Sequence, residues 1–254
     1  MGLLLSYFCL ENVALKRPTW QQHPLPNDAY GSDNAVDGEY SDRSTTGDQC
    51  VLSDNFQTTA TWWVDLGRVY SISHINIMYK TDNLPRPSPF VGRLAGFSLY
   101  VSNTSCKDDG HLCFHEIQNK EGTPSEDQRI NCPVHGRFVI FYNERVPGVE
   151  YPYYYSPYAY NDLCEVQVHG CLIRAFYGED CNRSCPYTCQ NHLCHIHTGE
   201  CFSCLPGYQG PRCEQRVIFP NNTDMNTRII INSVITLSIV LIGAAIIYLI
   251  WRKK

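Results

Sequence analysis

The stretch GFSLYVS, residues Gly96–Ser102, alternates apolar and polar side chains. Successive side chains of a β-strand face opposite ways, so Phe97, Leu99 and Val101 would share one face. This period of two predicts a strand with one side packed on a core and the other side turned away from it.

Other short segments between residues 11 and 170 show related patterns. TWWVDL (Thr61–Leu66) is apolar and aromatic, and Pro, Gly, Asn and Asp residues separate such segments. No helical period of useful length appears there, so we predict a mainly β fold, an antiparallel sandwich or jelly roll. The further period-two sets are Ile75, Ile77 and Tyr79; Phe138, Ile140 and Tyr142, in a strand that Val139 and Phe141 make apolar on both faces; and Cys164, Val166 and Val168, which alternate with Glu165, Gln167 and His169.

Ile229–Trp251 is a stretch of 23 residues without a formal charge, followed by Arg252, Lys253 and Lys254. As a helix it would be about 34 Å long, enough to cross a hydrocarbon core of about 30 Å. A buried core helix is the alternative, but such a helix usually shows a polar face. We predict a transmembrane helix at 229–251 with a cytosolic tail at 252–254, because basic residues beside a span stay in the cytosol. The chain would then be a single-pass type I plasma-membrane protein with its N-terminus outside the cell.

The cysteines fit an extracellular location. The chain has 14 of them, and eight fall between Cys171 and Cys213, which is dense enough for a disulfide scaffold. Asn-x-Ser/Thr sequons at Asn103, Asn182 and Asn221 predict a glycoprotein. The formal charge of −5 does not indicate a nucleic-acid partner. Gly-x-Ser-x-Gly, His-Glu-x-x-His and phosphate-loop motifs are absent from the sequence, so we do not expect an enzyme.

Residues 1–10 are apolar, but the run is short and no basic residue precedes it. A secretory signal normally has a charged start and a longer apolar run. We interpret 1–10 as a weak or truncated signal peptide, with an N-terminal strand as the alternative. If cleavage removes Cys9, 13 cysteines remain and one of them lacks an internal partner.

Four ordered motifs in residues 11–170 resemble the fucolectin-type domain, a jelly-roll relative of the discoidin domains of coagulation factors. The resemblance covers about 160 residues and implies that 11–170 is a carbohydrate-binding, jelly-roll β-sandwich. The motifs are Asn12-Val13-Ala14-Leu15, Asn34-Ala35-Val36-Asp37-Gly38, Trp62-Trp63-Val64-Asp65-Leu66 and Leu163-Cys164-Glu165-Val166-Gln167-Val168-His169-Gly170.

The resemblance also implies a structural calcium ion, which fucolectins hold between the Asn-Ala-x-Asp-Gly loop and the final Cys-Glu pair. Oxygen ligands of this kind suit calcium. Without the resemblance, Asp37 would be only a turn residue and Glu165 a solvated strand residue. The same resemblance implies a disulfide from Cys50 to Cys164. The implied ligands are the main chain of Asn34, Glu39 and Cys164, the carboxylates of Asp37 and Glu165, and Gln49, where the family usually has a serine.

The residues that bind sugar in fucolectins are only partly present in this chain. Fucolectins bind fucose with a histidine shortly after the first cysteine, an Arg-Gly-Asp run and a later basic residue. Here Leu52 stands in place of the histidine, and the run reads Lys80-Thr81-Asp82. Arg93 falls at the last basic position, and Lys80 lacks the planar fork of an arginine. The implied ligand-binding residues are therefore Lys80, Asp82 and Arg93, with fucose, another glycan or no glycan left open.

Two further features of this part have open interpretations. YPYYYSPYAY, Tyr151–Tyr160, holds six tyrosines in ten residues. Tyrosines supply a rigid recognition surface, but the loop could instead pack under the last strand. Among the remaining cysteines we expect a Cys113–Cys132 bridge, which leaves Cys106 to pair with Cys9 or with another chain.

Residues 171–213 have the cysteine spacing C-x9-C-x3-C-x3-C-x4-C-x6-C-x2-C-x8-C. The segment 199–213 resembles an EGF-like repeat, and the segment 176–181 resembles the half-repeats of multiple-EGF and scavenger receptors. The alternative is zinc bound by the Cys201-x-x-Cys204 pair near His192, His195 and His197. We expect a stiff EGF-like spacer, followed by a stalk at 214–228. The pairs implied by the resemblance are Cys171–Cys181, Cys185–Cys194, Cys189–Cys201 and Cys204–Cys213.

Together these features predict a cell-surface recognition protein that binds carbohydrate or another surface ligand through a calcium-stabilised head, in adhesion, scavenging or innate defence. The alternative is a protein-binding adhesion or assembly subunit with a vestigial sugar site. With three residues in the cytosol, any signalling would pass through a co-receptor. The chain could also be a shortened form of a longer receptor.

Overall fold

The computed structural model describes residues 10–116, 123–171, 175–178, 181–217 and 222–252, without the side chains of 222–229 and 244–250. The structure is mainly antiparallel β. The α-helices among the described residues are α1 (Val91–Leu94) and α2 (Asn222–Arg252), and short 3-10 helices lie at Asp28–Tyr30, Ser32–Val36, Lys107–Asp109 and Gln190–His192. The strands are β1 (Glu11–Asn12), β2 (Thr19–Gln21), β3 (Thr59–Tyr79), β4 (Ser98–Ser102), β5 (His111–His115), β6 (Asp127–Asn131), β7 (His135–Glu144), β8 (Leu163–Cys171), β9 (Phe176–Tyr177), β10 (Arg183–Ser184), β11 (Tyr208–Gln209) and β12 (Gln215–Arg216).

Strand β3 belongs to both layers of a sandwich in the head, residues 11–170. Its first part pairs with β2 and β7, and β7 continues to β4 and β5. Its second part pairs with β6 and β8, and β8 continues to β1. The register shifts between Asp65 and Tyr70, where Gly67 adopts a φ of +84° that favours glycine. The predicted jelly-roll-like β architecture is confirmed.

The sequence predicted two strands, Thr61–Leu66 and Ile75–Tyr79, where the structure has one strand of 21 residues. The positive φ of Gly67 and the irregular register let the chain bend without leaving the sheet. A local pattern cannot show this continuity, because the bend interrupts the period of two.

The core lies between the two layers of the head. The predicted inward sets of β3 and β4 are buried in it, and Trp62 is among the largest fully buried side chains. In β7 the residues of the apolar core are Val139 and Phe141. On the other face Phe138 and Tyr142 are half-buried, and Ile140 between them is fully buried. Apolar residues on both sides of a strand leave its orientation open, and the pairing of β7 with β3 decides it.

The C-terminal region after the head, residues 171–213, is disulfide-rich, as predicted. Its short strands pair as β9 with β10 and β11 with β12. Cys201 and Cys204 are both in disulfides, so neither offers a thiolate to zinc. Cys106 is exposed and unpaired among the described cysteines, and Cys9 lies outside the described residues. The six bonds are the pairs expected above, Cys50–Cys164, Cys113–Cys132, Cys171–Cys181, Cys185–Cys194, Cys189–Cys201 and Cys204–Cys213.

The head and the disulfide-rich region meet directly. β8 ends at Cys171, whose disulfide to Cys181 begins the second region. Across the junction, His197 Nε2 lies 3.1 Å from Ser73 Oγ, and the Phe202 ring packs edge-on against His135 at 5.1 Å. Side chains from both regions therefore form the contact.

Helix α2 contains the predicted span 229–251. Among the described residues, no helix has both the length and the apolar character needed to cross a membrane. Two of the predicted glycosylation sites, Asn103 and Asn182, are exposed. Asn221 and the predicted leader as far as Cys9 lie outside the described residues.

Candidate functional site

The three predicted ligand-binding residues line one pocket of the head. Lys80, Asp82 and Arg93 surround a cavity of about 210 Å³. Leu52, which takes the place of the expected histidine, lines the same cavity. Residues separated by up to 41 positions in the chain thus meet at one end of the sandwich.

The turn after β3 positions Lys80 and Asp82. The Lys80 N–H donates to the Asp162 carbonyl oxygen at 3.1 Å, which ties the turn to the start of β8. The Arg43 carbonyl oxygen accepts from the N–H of Thr81 at 3.2 Å and of Asp82 at 2.9 Å. The Asp82 carboxylate also accepts from the N–H and hydroxyl of Thr45. These bonds hold both side chains at the pocket.

Arg93 is positioned by α1 and by β7. Asn143 Nδ2 donates to the Arg93 carbonyl oxygen at 2.8 Å. A Cβ at Gly92 would lie 2.1 Å from the Tyr154 carbonyl oxygen, so only glycine allows the tyrosine-rich loop to pack this closely on α1. The helix is therefore held between β7 and that loop.

The charges of the pocket are paired. Lys80 Nζ lies 2.8 Å from Asp82 Oδ1, and Arg93 Nη1 lies 2.8 Å from Asp162 Oδ2. Asp162 is fully buried, and its Oδ1 has no hydrogen-bond partner among the described residues. Burial raises the pKa of Asp162, and the Arg93 cation opposes that rise. Two cations neutralised by two carboxylates leave a polar pocket without a strong net charge.

Aromatic and apolar groups complete the pocket. Lys80 Nζ lies 3.5 Å from the centre of the Phe90 ring, and Arg93 Cζ lies 4.2 Å from the centre of the Tyr160 ring. Leu52 forms an apolar wall. An apolar wall with a few directed donors and acceptors can bind a small hydroxylated ligand, because each hydroxyl both donates and accepts.

The two carboxylates of the predicted calcium site, Asp37 and Glu165, lie near each other. Glu165 is fully buried, and its Oε2 accepts from the Gly38 N–H at 3.3 Å, next to Asp37. Glu165 Oε1 has no hydrogen-bond partner among the described residues. Burial, assisted by the charge of Asp37, raises the pKa of Glu165 to about 7, and burial also raises the pKa of Asp37. A buried carboxylate with an orphaned oxygen beside a second carboxylate suits a cation.

The remaining predicted calcium ligands are Asn34, Glu39, Gln49 and Cys164, and the hydrogen bonds of the first three organise the loop that carries Asp37. The Glu39 N–H donates to Asp37 Oδ1 at 2.7 Å, and Cys164 precedes Glu165 in β8. The Asn34 side chain donates to three carbonyl oxygens, including Ala29 O at 2.7 Å, and so holds the loop together. Gln49 Oε1 accepts from the Asp42 N–H at 2.8 Å. Among the described residues, no group of three or more His, Cys, Asp and Glu side chains could hold a metal ion, so a calcium site here would depend on main-chain oxygens.

The tyrosine-rich loop divides between packing and exposure. Tyr155 is buried and donates to Glu116 Oε2 at 2.9 Å, and Tyr160 is buried against Arg93. Tyr153 is 100% exposed. Tyr155 and Tyr160 therefore pack against the head, and recognition by the exposed Tyr153 stays a prediction.

Sequence reasoning missed Asp162, Phe90 and the role of Tyr160 in the pocket. Asp162 directly precedes the LCEVQVHG motif, but nothing in the local pattern distinguishes a buried aspartate from an exposed turn residue. The available signal was that Lys80 and Arg93, as predicted pocket cations, each need an acidic partner.

Comparison with known proteins gives one family match. Residues 34–141, less than half of the chain, match the family model described as NedA-like, galactose-binding domain.

Three solved structures are similar to part of this chain. A fucose-binding module of Streptococcus pneumoniae, SpX-3, is 20% identical with a TM-score of 0.45 over 63% of this chain and 97% of its own. A fucolectin from the serum of striped bass, Morone saxatilis, is 24% identical with a TM-score of 0.48 over 63% of this chain and 49% of its own. The lectin domain of lectinolysin, complexed with Lewis B antigen, is 19% identical with a TM-score of 0.47 over 62% of this chain and 95% of its own. The family match supports a NedA-like, galactose-binding domain within the head of this chain.

Proposed function

We propose that this chain is a cell-surface recognition protein whose head binds carbohydrate in the pocket of Lys80, Asp82 and Arg93. The ligand is a neutral sugar, because both cations of the pocket already have a carboxylate partner. The pairing of Arg93 with the fully buried Asp162 is the observation that carries the proposal. Asp162 holds Arg93 at the pocket while the guanidinium keeps further N–H donors for ligand hydroxyls.

Calcium would stabilise the head without taking part in ligand contacts. Asp37 and Glu165 would supply carboxylate oxygens, and Asn34, Glu39 and Cys164 main-chain oxygens, with Gln49 nearby. The orphaned Glu165 Oε1 supports this role, since a buried carboxylate without a partner is costly. The ion would tie the loop at 34–39 to β8, next to the Cys50–Cys164 disulfide.

The other regions would present the head at the plasma membrane, with the N-terminus outside the cell. The uncharged stretch 229–251 and the basic residues after it support an anchor and its direction. The EGF-like character of 171–213, as a spacer, rests on its cysteine spacing and its four disulfides. Adhesion, scavenging and innate defence are the roles that fit such an arrangement.

A glycan array tests the carbohydrate proposal. The full chain in detergent micelles should bind a group of neutral glycans, and Lys80→Ala and Arg93→Ala should each weaken that binding at least tenfold. Arg86→Ala is the matched control, because Arg86 is an exposed arginine that does not line this pocket. Glycan binding that both pocket variants retain in full would contradict the proposed pocket.

A protein ligand is the second candidate, with the sugar site vestigial. The observation that favours it is the full exposure of Tyr153 in the tyrosine-rich loop, because exposed tyrosines are typical of protein-recognition surfaces. Tyr153→Ala should then abolish binding to a cell surface whose glycans have been removed enzymatically. Loss of binding on deglycosylation alone would exclude this candidate.

A further inference from the structure

A groove lies beside the pocket of Lys80, Asp82 and Arg93, which is called the sugar pocket below. It has a volume of about 890 Å³, larger than the pocket of Lys80 and Arg93. Its walls come from β2 and from the segment that follows it, 24–33. None of the predicted ligand-binding or calcium-binding residues lines it.

Trp20 forms an aromatic surface of this groove. Its indole stacks on Trp63 with ring centres 6.0 Å apart and planes 19° from parallel. Although it is packed in this way, Trp20 remains 46% exposed. A rigid, partly exposed indole is suited to stacking on a sugar ring or a cation, since it loses little freedom on binding.

The groove offers acceptors and carries no cationic side chain. Asp28 and Asp33 line it and are exposed, and neither carboxylate has a hydrogen bond or ion pair within the described part of the chain. Gln21 also lines it and is 7% exposed; its Nε2 donates to the Tyr30 carbonyl oxygen at 3.1 Å. Gln21 Oε1 is buried without a partner among the described residues. No Lys, Arg or His is among the described residues that line the groove.

Leu25 joins the groove to the sugar pocket, because it lines both. Its N–H donates to the Leu52 carbonyl oxygen at 3.1 Å, and Pro24 forms a bridge with Ser53. Leu52 and Ser53 are themselves part of the sugar pocket. An oligosaccharide with one residue in the pocket can therefore extend over Leu25 into the groove.

We propose that the groove of Trp20, Asp28 and Asp33 is a second carbohydrate subsite that binds a sugar residue bearing a free, protonated amine. The sugar ring stacks on Trp20, and the ammonium group donates to the two carboxylates in charge-assisted hydrogen bonds. This inference rests on the proposed function, because the neighbouring residue of the same oligosaccharide occupies the pocket. Carboxylated and sulfated sugars are excluded from the groove by its two negative charges.

The probe is a β-1,4-linked trimer with one glucosamine and two N-acetylglucosamine residues (the glucosamine trimer), titrated against the full chain in detergent micelles, with the fully N-acetylated trimer as its neutral counterpart. The glucosamine trimer should bind at least tenfold more tightly than the acetylated one. Raising the salt concentration from 50 to 500 mM should reduce this preference, because it screens the interaction between ammonium and carboxylates. Equal affinity for both trimers, or no binding of either, would overturn the proposal.

Variants locate the binding in the groove. Trp20→Ala should weaken binding of the glucosamine trimer at least tenfold, and Trp20→Phe should retain most of it. Phe56→Ala is the matched control, since Phe56 is an exposed aromatic residue outside both cavities. The double variant Asp28→Asn/Asp33→Asn should remove the preference for the free amine. The double variant Asp108→Asn/Asp109→Asn, in an exposed turn elsewhere, should not change it.

The same titrations separate failure of the groove from failure of the pocket. If Lys80→Ala and Arg93→Ala weaken binding of the trimer while Trp20→Ala does not, the groove is refuted and the proposed function stands. If the Trp20 and aspartate variants weaken binding while the pocket variants leave it unchanged, the amine site stands and the proposed pocket is refuted. Loss in both sets supports one continuous site.

Discussion

The head and the disulfide-rich region reach a stable fold by different means. The head surrounds a large apolar core with side chains such as Trp62, Phe97 and Phe141, and has two disulfides in about 160 residues. The region 171–213 has four disulfides, and its buried clusters consist mainly of the cysteines with Tyr177 and Ile196. A segment this short buries little apolar surface, so covalent links replace the core. Burial therefore stabilises the head, whereas disulfides stabilise the region that follows it.

The largest effect expected is loss of the fold of the disulfide-rich region when one of its bonds is removed. Cys189→Ser with Cys201→Ser should cost about 2–5 kcal/mol, as loss of a native disulfide does in small domains. Hydrogen exchange checks this at the Leu205 N–H, which donates to the Thr188 carbonyl oxygen. Its protection should disappear.

The matched change in the head is Cys113→Ser with Cys132→Ser. The head should remain folded, because its apolar core does not depend on this bond. Unfolding of the head in this variant, or retained protection in the first one, would contradict the comparison.

Removal of a large, fully buried side chain of the head should cost a comparable amount. Trp62 is fully buried and donates through Nε1 to the Ser32 carbonyl oxygen at 2.9 Å. Trp62→Ala should therefore lower the free energy of unfolding of the head by about 3–5 kcal/mol, measured by chemical denaturation. Trp63→Ala, a change at its half-buried neighbour on the outer face, should have the smaller effect. Equal losses would mean that the core does not dominate the stability of the head.

Glu165 is an exception to the apolar interior of the head and should make its stability depend on pH. Its pKa is raised from 4.5 to about 7, so in the folded, calcium-free head it keeps its proton where the unfolded chain loses it. Stability should therefore fall as the pH rises from 4.5 through 7, by up to about 3 kcal/mol. Thermal unfolding in a chelator should show this decrease.

Calcium and one substitution sharpen the prediction for Glu165. Calcium should raise the melting temperature most above pH 7, where it compensates the buried charge. Glu165→Gln should remove both the decrease with pH and the effect of calcium. An unchanged melting temperature on adding a chelator at pH 8 would contradict the predicted site.

The junction between the two regions should weaken in acid. His74 stacks on His169 at 4.6 Å, and Ser73 links it to His197. Burial, assisted by the charges of Arg129, His169 and His197, lowers the pKa of His74 from 6.5 to about 4. The neutral form is favoured in the folded state, so its stabilisation is present above pH 6.5 and is lost as the pH falls towards 4.

At pH 5 the loss from His74 should be about 2 kcal/mol. Limited proteolysis between pH 7.5 and 5 measures it through cleavage near the junction. His74→Gln should remove most of the pH dependence, while His192→Gln, at an exposed turn outside the junction, should not. Cleavage that does not change with pH in the unaltered chain would show that the junction is not sensitive to acid.

The sequence predicted the parts of the fold that depend on local pattern. Period-two alternation identified Phe97, Leu99 and Val101 as one buried face. It did not identify the buried face of β7, where apolar residues on both sides leave the choice to tertiary pairing. The continuity of β3 past Gly67 was missed for a different reason, because the bend at the positive φ of Gly67 interrupts the period of two.

In the candidate site, the only residues predicted were those at positions implied by the resemblance to fucolectins. Lys80, Asp82 and Arg93 do share one pocket. Asp162 and Phe90 were missed, because their roles arise from the packing of α1 against the start of β8 and not from any motif. The groove at Trp20 was missed as well, since Asp28 and Asp33 look like ordinary turn residues until the fold places them beside an exposed indole.

The direct passage from β8 into the disulfide-rich region has a mechanical consequence. Tension on the C-terminal side of the chain would enter the head at Cys171 and act along β8, parallel to its pairing with β3. When antiparallel strands are pulled along their length, many of the hydrogen bonds between them must break at the same time. The Cys50–Cys164 disulfide would transmit part of the force to the loop before Leu52. Asp162, which directly precedes β8, would bear the remainder beside Arg93, so a pull on the C-terminal region would act on the residue that holds Arg93 at the pocket.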